Sequence, residues 1–462
     1  MGMMHWTKKQ VSILIIVAVT SFMGTFLVSS INIALPAIGK TFSLNAVSLS
    51  WVITSFLLAT AIFLLPVGRW ADLTGVRRIY KAGMIVFTLS SLLCGLAPSG
   101  FWLVLFRFTQ GIGAAFSNTT GSAILVSSFP PNNRGRVLGM SVSAVYLGLA
   151  FGPFVGGILT QWIGWRSIFI ISSLLGIITT VIAFMFLEKD VPANEIKSKK
   201  IDLRGIIFYF LGLTALVYGA SFIPALSAWA ILGSGLLLLV VFWIFENRSA
   251  FPVIQTKLFS KNRLFAFSNI AALINYSATF AIVFLMSLYL QKVKGLPPRD
   301  AGSILIAQPV MMALFSPFTG RLSDRIQPRY LSSIGMSMCA TGLLAFAFLK
   351  AETPVWFIVM ALLWVGLGFA FFSSPNMNTI MGSVSRNQYG TASGTAATMR
   401  VIGQIVSMTI ATLFFAAGFG RQAIDSVPDA VFLESVRWGF TTFALLCMAG
   451  IYFSYKRGKI ER

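Results

Sequence analysis

The most constraining feature of this chain is a succession of apolar runs, most of about twenty residues or more, separated by short charged turns. A helix needs about 20 mainly apolar residues to cross a bilayer. The runs are too long and too uniform to alternate as barrel strands. Fourteen of them predict helices, at roughly 11–36, 49–67, 80–97, 101–126, 137–162, 166–187, 203–221, 227–245, 265–290, 301–319, 330–350, 354–376, 392–418 and 434–455. With 56% of residues hydrophobic and 10% charged, the chain cannot clothe a soluble surface. An all-α integral membrane protein is expected.

The formal charge of +22 invites a nucleic-acid reading. The Lys and Arg residues, however, sit in short turns between apolar runs and not on one face. That suits loops facing anionic lipid, so the expected partners are the bilayer and a small-molecule substrate, with no nucleic acid. Cys94, Cys339 and Cys447 fall inside apolar runs without paired spacing, and His5 is the only histidine. Neither a disulfide framework nor a metal site is expected. The run following Lys8 and Lys9 reaches about Ile38, too long for a signal-peptide core, and predicts a retained first span. With a cytoplasmic N-terminus, 25 basic residues fall on the inner side and eight on the outer, while Arg107 and Arg400 lie within spans. The bias predicts both termini cytoplasmic in a cell membrane, although Lys292, Lys294 and Arg299 run against it.

The turn Gly68–Tyr80, GRWADLTGVRRIY, holds one of only thirteen acids, Asp72, with Arg69, Arg77 and Arg78. A weaker copy follows at Gly320, Arg321 and Asp324, an offset of 252. Asn132, Gly135, Gly139 and Gly148 match Asn387, Gly390, Gly394 and Gly403 at an offset of 255. Duplication is the simplest account, and internal repeats mark secondary transporters. It predicts three parts: a six-helix bundle over 1–188, two inserted helices with flanking loops over 189–264, and a second six-helix bundle over 265–462. The inserted pair has few polar residues and is expected at the periphery.

Three motifs resemble those of the fourteen-span drug:proton antiporters of the major facilitator superfamily. In the turn, Gly68, Ala71, Asp72, Gly75, Arg77 and Arg78 fit, with Trp70 in place of a leucine. Leu103, Arg107, Gln110, Gly111, Gly113, Ala114 and Ala115 fit the fourth-span motif. Gly148, Gly152, Pro153, Gly156 and Gly157 complete the fifth-span antiporter motif. The resemblance implies the major facilitator fold, a 6 + 2 + 6 helix arrangement and multidrug efflux driven by a proton gradient, with no cofactor; a monomer is expected.

Each motif has a physical reading. Asp72 can cap a helix or pair with an arginine, Arg136 being the candidate, and so latch one conformation. Gly148, Gly152 and Gly156 share one helix face and permit close packing, while Pro153 can bend the span. Arg107 and Gln110 face the same way, with Arg107 about 9 Å below a span end. An arginine inside a membrane is a functional candidate by default, and the resemblance implies a role for this one in the cavity and in proton coupling. Arg400 and Gln404 make a comparable polar face. Asn32, Asn118, Asn275, Gln308, Asn376 and Asn378 are candidates for a polar cavity lining, beside an adaptable apolar surface drawn from 42 Phe and 18 Met.

The family's first-span aspartate position is Leu27 here, and the sequence places no acid at a span centre. Neutral, zwitterionic or anionic amphipaths therefore fit better than strongly cationic dyes. The expected function is an exporter of drug-like or amphipathic small molecules. The alternative is a dedicated exporter or facilitator of an anionic or neutral metabolite without strict proton coupling. A nucleotide-binding loop, a metal cluster and a nucleophile–base pair are all missing from the sequence, so an enzyme is not expected.

Overall fold

A computed structural model describes residues 6–130, 133–188, 203–223, 225–248, 256–385, 388–420 and 422–459. The side chains of Asp72, Arg134, Arg136, Leu203 and Lys257 are outside that description, as are His5, Asn132, Asn387 and most of both linkers around the inserted pair.

The described residues form helices α1 (Lys8–Phe42), α2 (Ala46–Thr74), α3 (Val76–Gly95), α4 (Gly100–Ser128), α5 (Arg134–Trp162), α6 (Arg166–Phe186), α7 (Leu203–Ala220), α8 (Leu226–Arg248), α9 (Thr256–Lys261), α10 (Arg263–Thr279), α11 (Ala281–Leu288), α12 (Pro298–Leu305), α13 (Ala307–Leu322), α14 (Pro328–Ala347), α15 (Val355–Gly382), α16 (Tyr389–Phe419) and α17 (Asp429–Lys456). A π-helical turn, Tyr289–Val293, continues α11. Local chemistry sets many of the starts. Thr7 and Gln10 form a capping box on α1, Asn45 caps α2 and Asn262 caps α10. Pro298 and Pro328 open α12 and α14, where a missing N–H costs nothing.

Among the described residues, eleven segments are long and apolar enough to cross a membrane, counting α10 to the π turn as one and α12–α13 as another. α3, α4 and α7 fall outside that set, so the eleven crossings stand short of the fourteen runs read from the sequence.

The duplication is visible in the packing. α1 packs on α5, α3 on α4 and α2 on α4; in the second half α10 packs on α16, α14 on α15 and α13 on α15. Close approaches repeat residue for residue. Gly113 lies against Gly83 O and the Phe87 backbone, and Gly368 lies against Gly335 O and Cys339 N. Gly148 meets Phe22 O and Phe26 N, and Gly403 meets Leu273 O and Ser277 N. The offsets are 251, 252 and 255, within one residue of the 252 and 255 of the sequence repeat.

Both ends of the described chain emerge on one face, called here the terminus face. There Gln10 donates to Ser128 O and Lys81 to Leu187 O. On the opposite, far face Trp165 donates to Thr41 and Tyr289 to Lys350 O. The inserted pair lies to one side. Tyr209 of α7 donates to Ala61 O, Trp51 donates to Ser221, and α7 also touches α16. Along α8, Leu236, Leu237, Val240 and Trp243 are exposed, as befits a helix turned to lipid.

Candidate functional site

The two helical sets, α1–α6 and α10–α17, face each other along α1, α2 and α5 against α11, α12 and α16. Between described residues, every hydrogen bond that joins them lies in the far half. Ser287 Oγ donates to Asn32 O at 2.6 Å, Gln291 Nε2 to Ile33 O at 2.9 Å, and Arg299 N to Gln161 Oε1 at 3.3 Å. Asn45 and Ala423 bridge. In the terminus half the paired glycines Gly139 and Gly394 have no atom within 4 Å of a built Cβ, and Asn118, Met377 and Asn378 are exposed. Among the described residues, the hydrogen bonds that join the two sets therefore gather at the far end.

The α5 glycines serve two different seams. Gly148, Gly152 and Gly156 press on α1, where Thr25, Ser29 and Ser30 donate to Val145 O, Leu149 O and Gly152 O. That seam lies within the first set. Gly157 and Pro153 turn to the second set: a Cβ on Gly157 would lie 2.5 Å from Pro298 O, and Gly302 fits directly against Pro153 O. The motif residues thus build one seam within the first set and one contact between the two sets.

Arg107 is 0% exposed. Its Nε donates to Val52 O at 2.9 Å, Nη1 donates to Gln110 Oε1, and Gln110 Nε2 reaches Ser91 Oγ at 2.6 Å. The guanidinium stacks 4.3 Å from the Phe56 ring, while Nη2 has no partner among the described residues. The backbone allows this because Gly111 lies against Phe56 O and Gly113 against α3. The pair therefore knits α2, α3 and α4 inside the first set.

Arg400 stands elsewhere. It is half-buried on α16 and lies beside the Tyr276 hydroxyl of α10, whose electrostatic neighbours also include Tyr146 of α5. Phe369 packs edge-on to Tyr276 with ring centroids 5.4 Å apart. Gln404, one turn on, is also half-buried. A cation, two phenols and a phenyl ring thus gather where the two sets face each other.

The family model described as Major Facilitator Superfamily matches residues 14–408. The chain belongs to the Major Facilitator Superfamily. A riboflavin transporter, RibZ, from Clostridioides difficile (strain 630) is 31% identical over 415 residues, covering 90% of this chain and 89% of that one. The multidrug resistance protein Stp of Mycobacterium tuberculosis (strain ATCC 25618 / H37Rv) is 29% identical, covering 87% and 76%. The methylenomycin A resistance protein of Bacillus subtilis (strain 168) is 28% identical, covering 88% and 90%. A bacterial homolog of the human lysosomal transporter Spinster, in an inward-facing and unoccupied conformation, aligns at TM-score 0.67 and 18% identity over 98% of both chains, a likeness of fold. As a member of this superfamily the chain is a multi-pass membrane transporter and not an enzyme.

Other superfamily motif residues fall as follows. Gly75 joins α2 to α3 at φ 108°, a conformation that favours glycine. Gly68 packs on Thr119 of α4, and its counterpart Gly320 on Ser374 of α15. In the second charged turn Asp324 is exposed; in the first, Arg69 and Arg77 are half-buried and Arg78 is exposed. The latch between Asp72 and Arg136 lies outside the described side chains. Leu27, at the aspartate position, is sealed in the core at 0% exposure. Asn275 and Gln308 are buried; both amide atoms of Asn275 and Oε1 of Gln308 lack partners among the described residues. Asn32 donates to Val28 O at the far contact, and Asn378 donates to Ser323 Oγ at 2.7 Å.

Two residues escaped the sequence reading. Glu246, near the end of α8, is 1% exposed. Arg457, at the end of α17, is equally buried. A Cβ points toward the N-terminus of its helix, so a long side chain at a helix end can run back into the bundle. A groove of about 860 Å³ opens on the far face between α14 and α17, lined by Phe348, Lys350, Glu434 and Arg437 among others, away from every motif residue.

Proposed function

We propose that the chain is a secondary active transporter that exports drug-like or amphipathic small molecules by alternating access, in exchange for protons. The observation that carries this reading is the gathering of the described hydrogen bonds between the helical sets in the far half, with Arg400, Tyr276 and Tyr146 close together between them. Rocking about that level exposes the cluster to one side at a time. α3, α4 and α7 complete fourteen spans around it, arranged 6 + 2 + 6 over 1–188, 189–264 and 265–462. Both termini are cytoplasmic in the plasma membrane, in line with the basic-residue bias, and the protein works as a monomer.

The substrate class follows from charge. Arg400 has no ion pair with a described carboxylate, and Leu27 leaves α1 without an acid. Neutral and anionic amphipaths are favoured over cations. Glu188 is a poor proton carrier, because the hydrogen bond from Lys9 holds its carboxyl below the usual range. A group with a lowered pKa stays ionised until pH falls through that lower value. Asp72 is the carrier assigned here.

A second reading, a dedicated exporter of one anionic or neutral metabolite without strict proton coupling, is favoured by the same unpaired Arg400 and by the name of the 31% identical riboflavin transporter. One experiment separates them. Proteoliposomes are loaded with riboflavin, an anionic amphipath or a cationic dye, and flux is followed under an imposed pH gradient. The first reading expects several substrates, gradient-dependent flux and its loss in Asp72→Asn. Flux of a single ligand, indifferent to the gradient, leaves the second.

A further inference from the structure

The buried Arg457 lies just past the end of α17, against three other helices. Its Nη1 donates to Asn376 Oδ1 of α15 at 2.6 Å and to Ser268 Oγ of α10 at 3.5 Å; Nη2 donates to Ser332 Oγ of α14 at 3.0 Å. All three acceptors are neutral, and among the described residues no carboxylate pairs with it. Asn376 is spoken for at both ends, since its Nδ2 donates to Ser268 O at 3.0 Å.

Duplication supplies an internal control. At the offsets of the repeat, Ser268, Ser332 and Asn376 correspond to Val17, Tyr80 and Gly121. Those three also meet in the first half: a Cβ on Gly121 would lie 3.2 Å from Val17 and 3.5 Å from the Tyr80 ring. The first half therefore fills this space with an aliphatic side chain and a phenol whose hydroxyl donates to Thr20 Oγ1 at 2.9 Å, without a charge. The second half fills it with a cation and hydroxyls, which is costlier to bury. The fold does not demand the polar version.

α15 gives the polar version a task. Pro375 has no N–H, so the helix ladder is one bond short beside Asn376. Two residues on, and about 200° around the helix, Asn378 donates to Ser323 Oγ and Gly320 O in the second charged turn. The segment is thus held on one side by Arg457 and on the other by the turn.

We propose that Arg457 is a positioning residue: by fixing Asn376 it stiffens the proline-weakened end of α15, so that α10, α14, α15, α17 and the second charged turn move as one body. The proposal rests on the alternating-access reading for its effect on transport, but not for its effect on local rigidity.

The test compares Arg457→Met, Asn376→Asp and a transplant of the first-half residues (Ser268→Val, Ala271→Thr as partner for the new phenol, Ser332→Tyr, Asn376→Gly with Arg457→Leu), in the full chain. Hydrogen exchange over 320–327 and 375–382, thermal unfolding and initial transport rates are read together. Arg457→Met is expected to raise exchange in both segments about tenfold, with 68–76 unchanged, and to lower the maximal rate at constant KM. Asn376→Asp keeps an acceptor for Arg457 but turns an oxygen, not a donor, to Ser268 O; it is expected to raise exchange over 375–382 less than Arg457→Met does and to slow transport at constant KM. Should Arg457→Met not fold, the transplant decides, because its packing is one the fold already accommodates: it is expected to fold and to transport poorly. Exchange changes confined to 452–459, or a transplant that transports at the wild-type rate, would overturn the proposal. If the wild-type protein carries no flux, the transport reading fails and the exchange comparison still decides the clamp.

Discussion

Consider Gly157→Ala. The added methyl group would sit 2.5 Å from Pro298 O, below the 3.0 Å that such carbons respect, and a tight 3.1 Å from the Arg299 Cα, both backbone atoms that cannot rotate away. Relief requires α5 and α12 to separate at the far face. Overpacking of this kind costs about 1–3 kcal/mol. Because the clash exists only while the far halves touch, the cost becomes a shift of roughly 5- to 150-fold away from that state. Gly156→Ala is the control. Its methyl group would meet Ser30 at 2.7 Å, within the first helical set, where the contact is the same in both states. Spin-label distances across the far ends of α5 and α12 provide the assay. Gly157→Ala should broaden and lengthen the distribution; Gly156→Ala should lower the unfolding temperature and leave the distances alone. Equal shifts from the two variants would refute the division of the motif into a fixed seam and an opening contact.

Arg107→Ala should lower thermal stability by several kcal/mol, since hydrogen bonds to a charged group are worth about 1.5–3 kcal/mol each, and Arg107→Lys should rescue little because it lacks the forked donors. Differential scanning fluorimetry in detergent checks both. Arg400→Gln should raise KM for anionic substrates about tenfold or more, from the loss of a charge-assisted contact, and leave neutral substrates nearly unaffected. Counterflow with matched anionic and neutral ligands reads the difference. Leu27→Asp, which restores the family acid at a fully buried position, should reduce stability by several kcal/mol, visible as a lower unfolding temperature; an unchanged value would mean that water reaches α1 there.

Much of the architecture was legible because it depends on short-range rules. Apolar run length located the helices, and the spacing of Gly148, Gly152 and Gly156 foretold a close seam. The repeat was legible too, since glycines needed for backbone contact keep their offsets: Gly113 with Gly83 matches Gly368 with Gly335. Direction was less legible. Periodicity put Arg107 and Gln110 on one face but could not say that this face meets α2 and α3. Nor could it divide Gly156 from Gly157, whose partners lie 126 and 141 residues away in the chain. Arg457 was invisible for a plainer reason. Its sequence neighbours are those of a solvated tail, and only the meeting of Ser268, Ser332 and Asn376 creates its pocket.

The central claim is that one site, marked by Arg400, is reached from one face at a time. A cysteine introduced by Gln404→Cys tests it most directly, because the native Cys94, Cys339 and Cys447 are buried. In oriented vesicles a membrane-impermeant maleimide should label position 404 from the terminus face in the resting protein. Substrate should protect it, and Gly157→Ala should open a path from the far face. Labelling from neither face in any of these conditions would contradict the account.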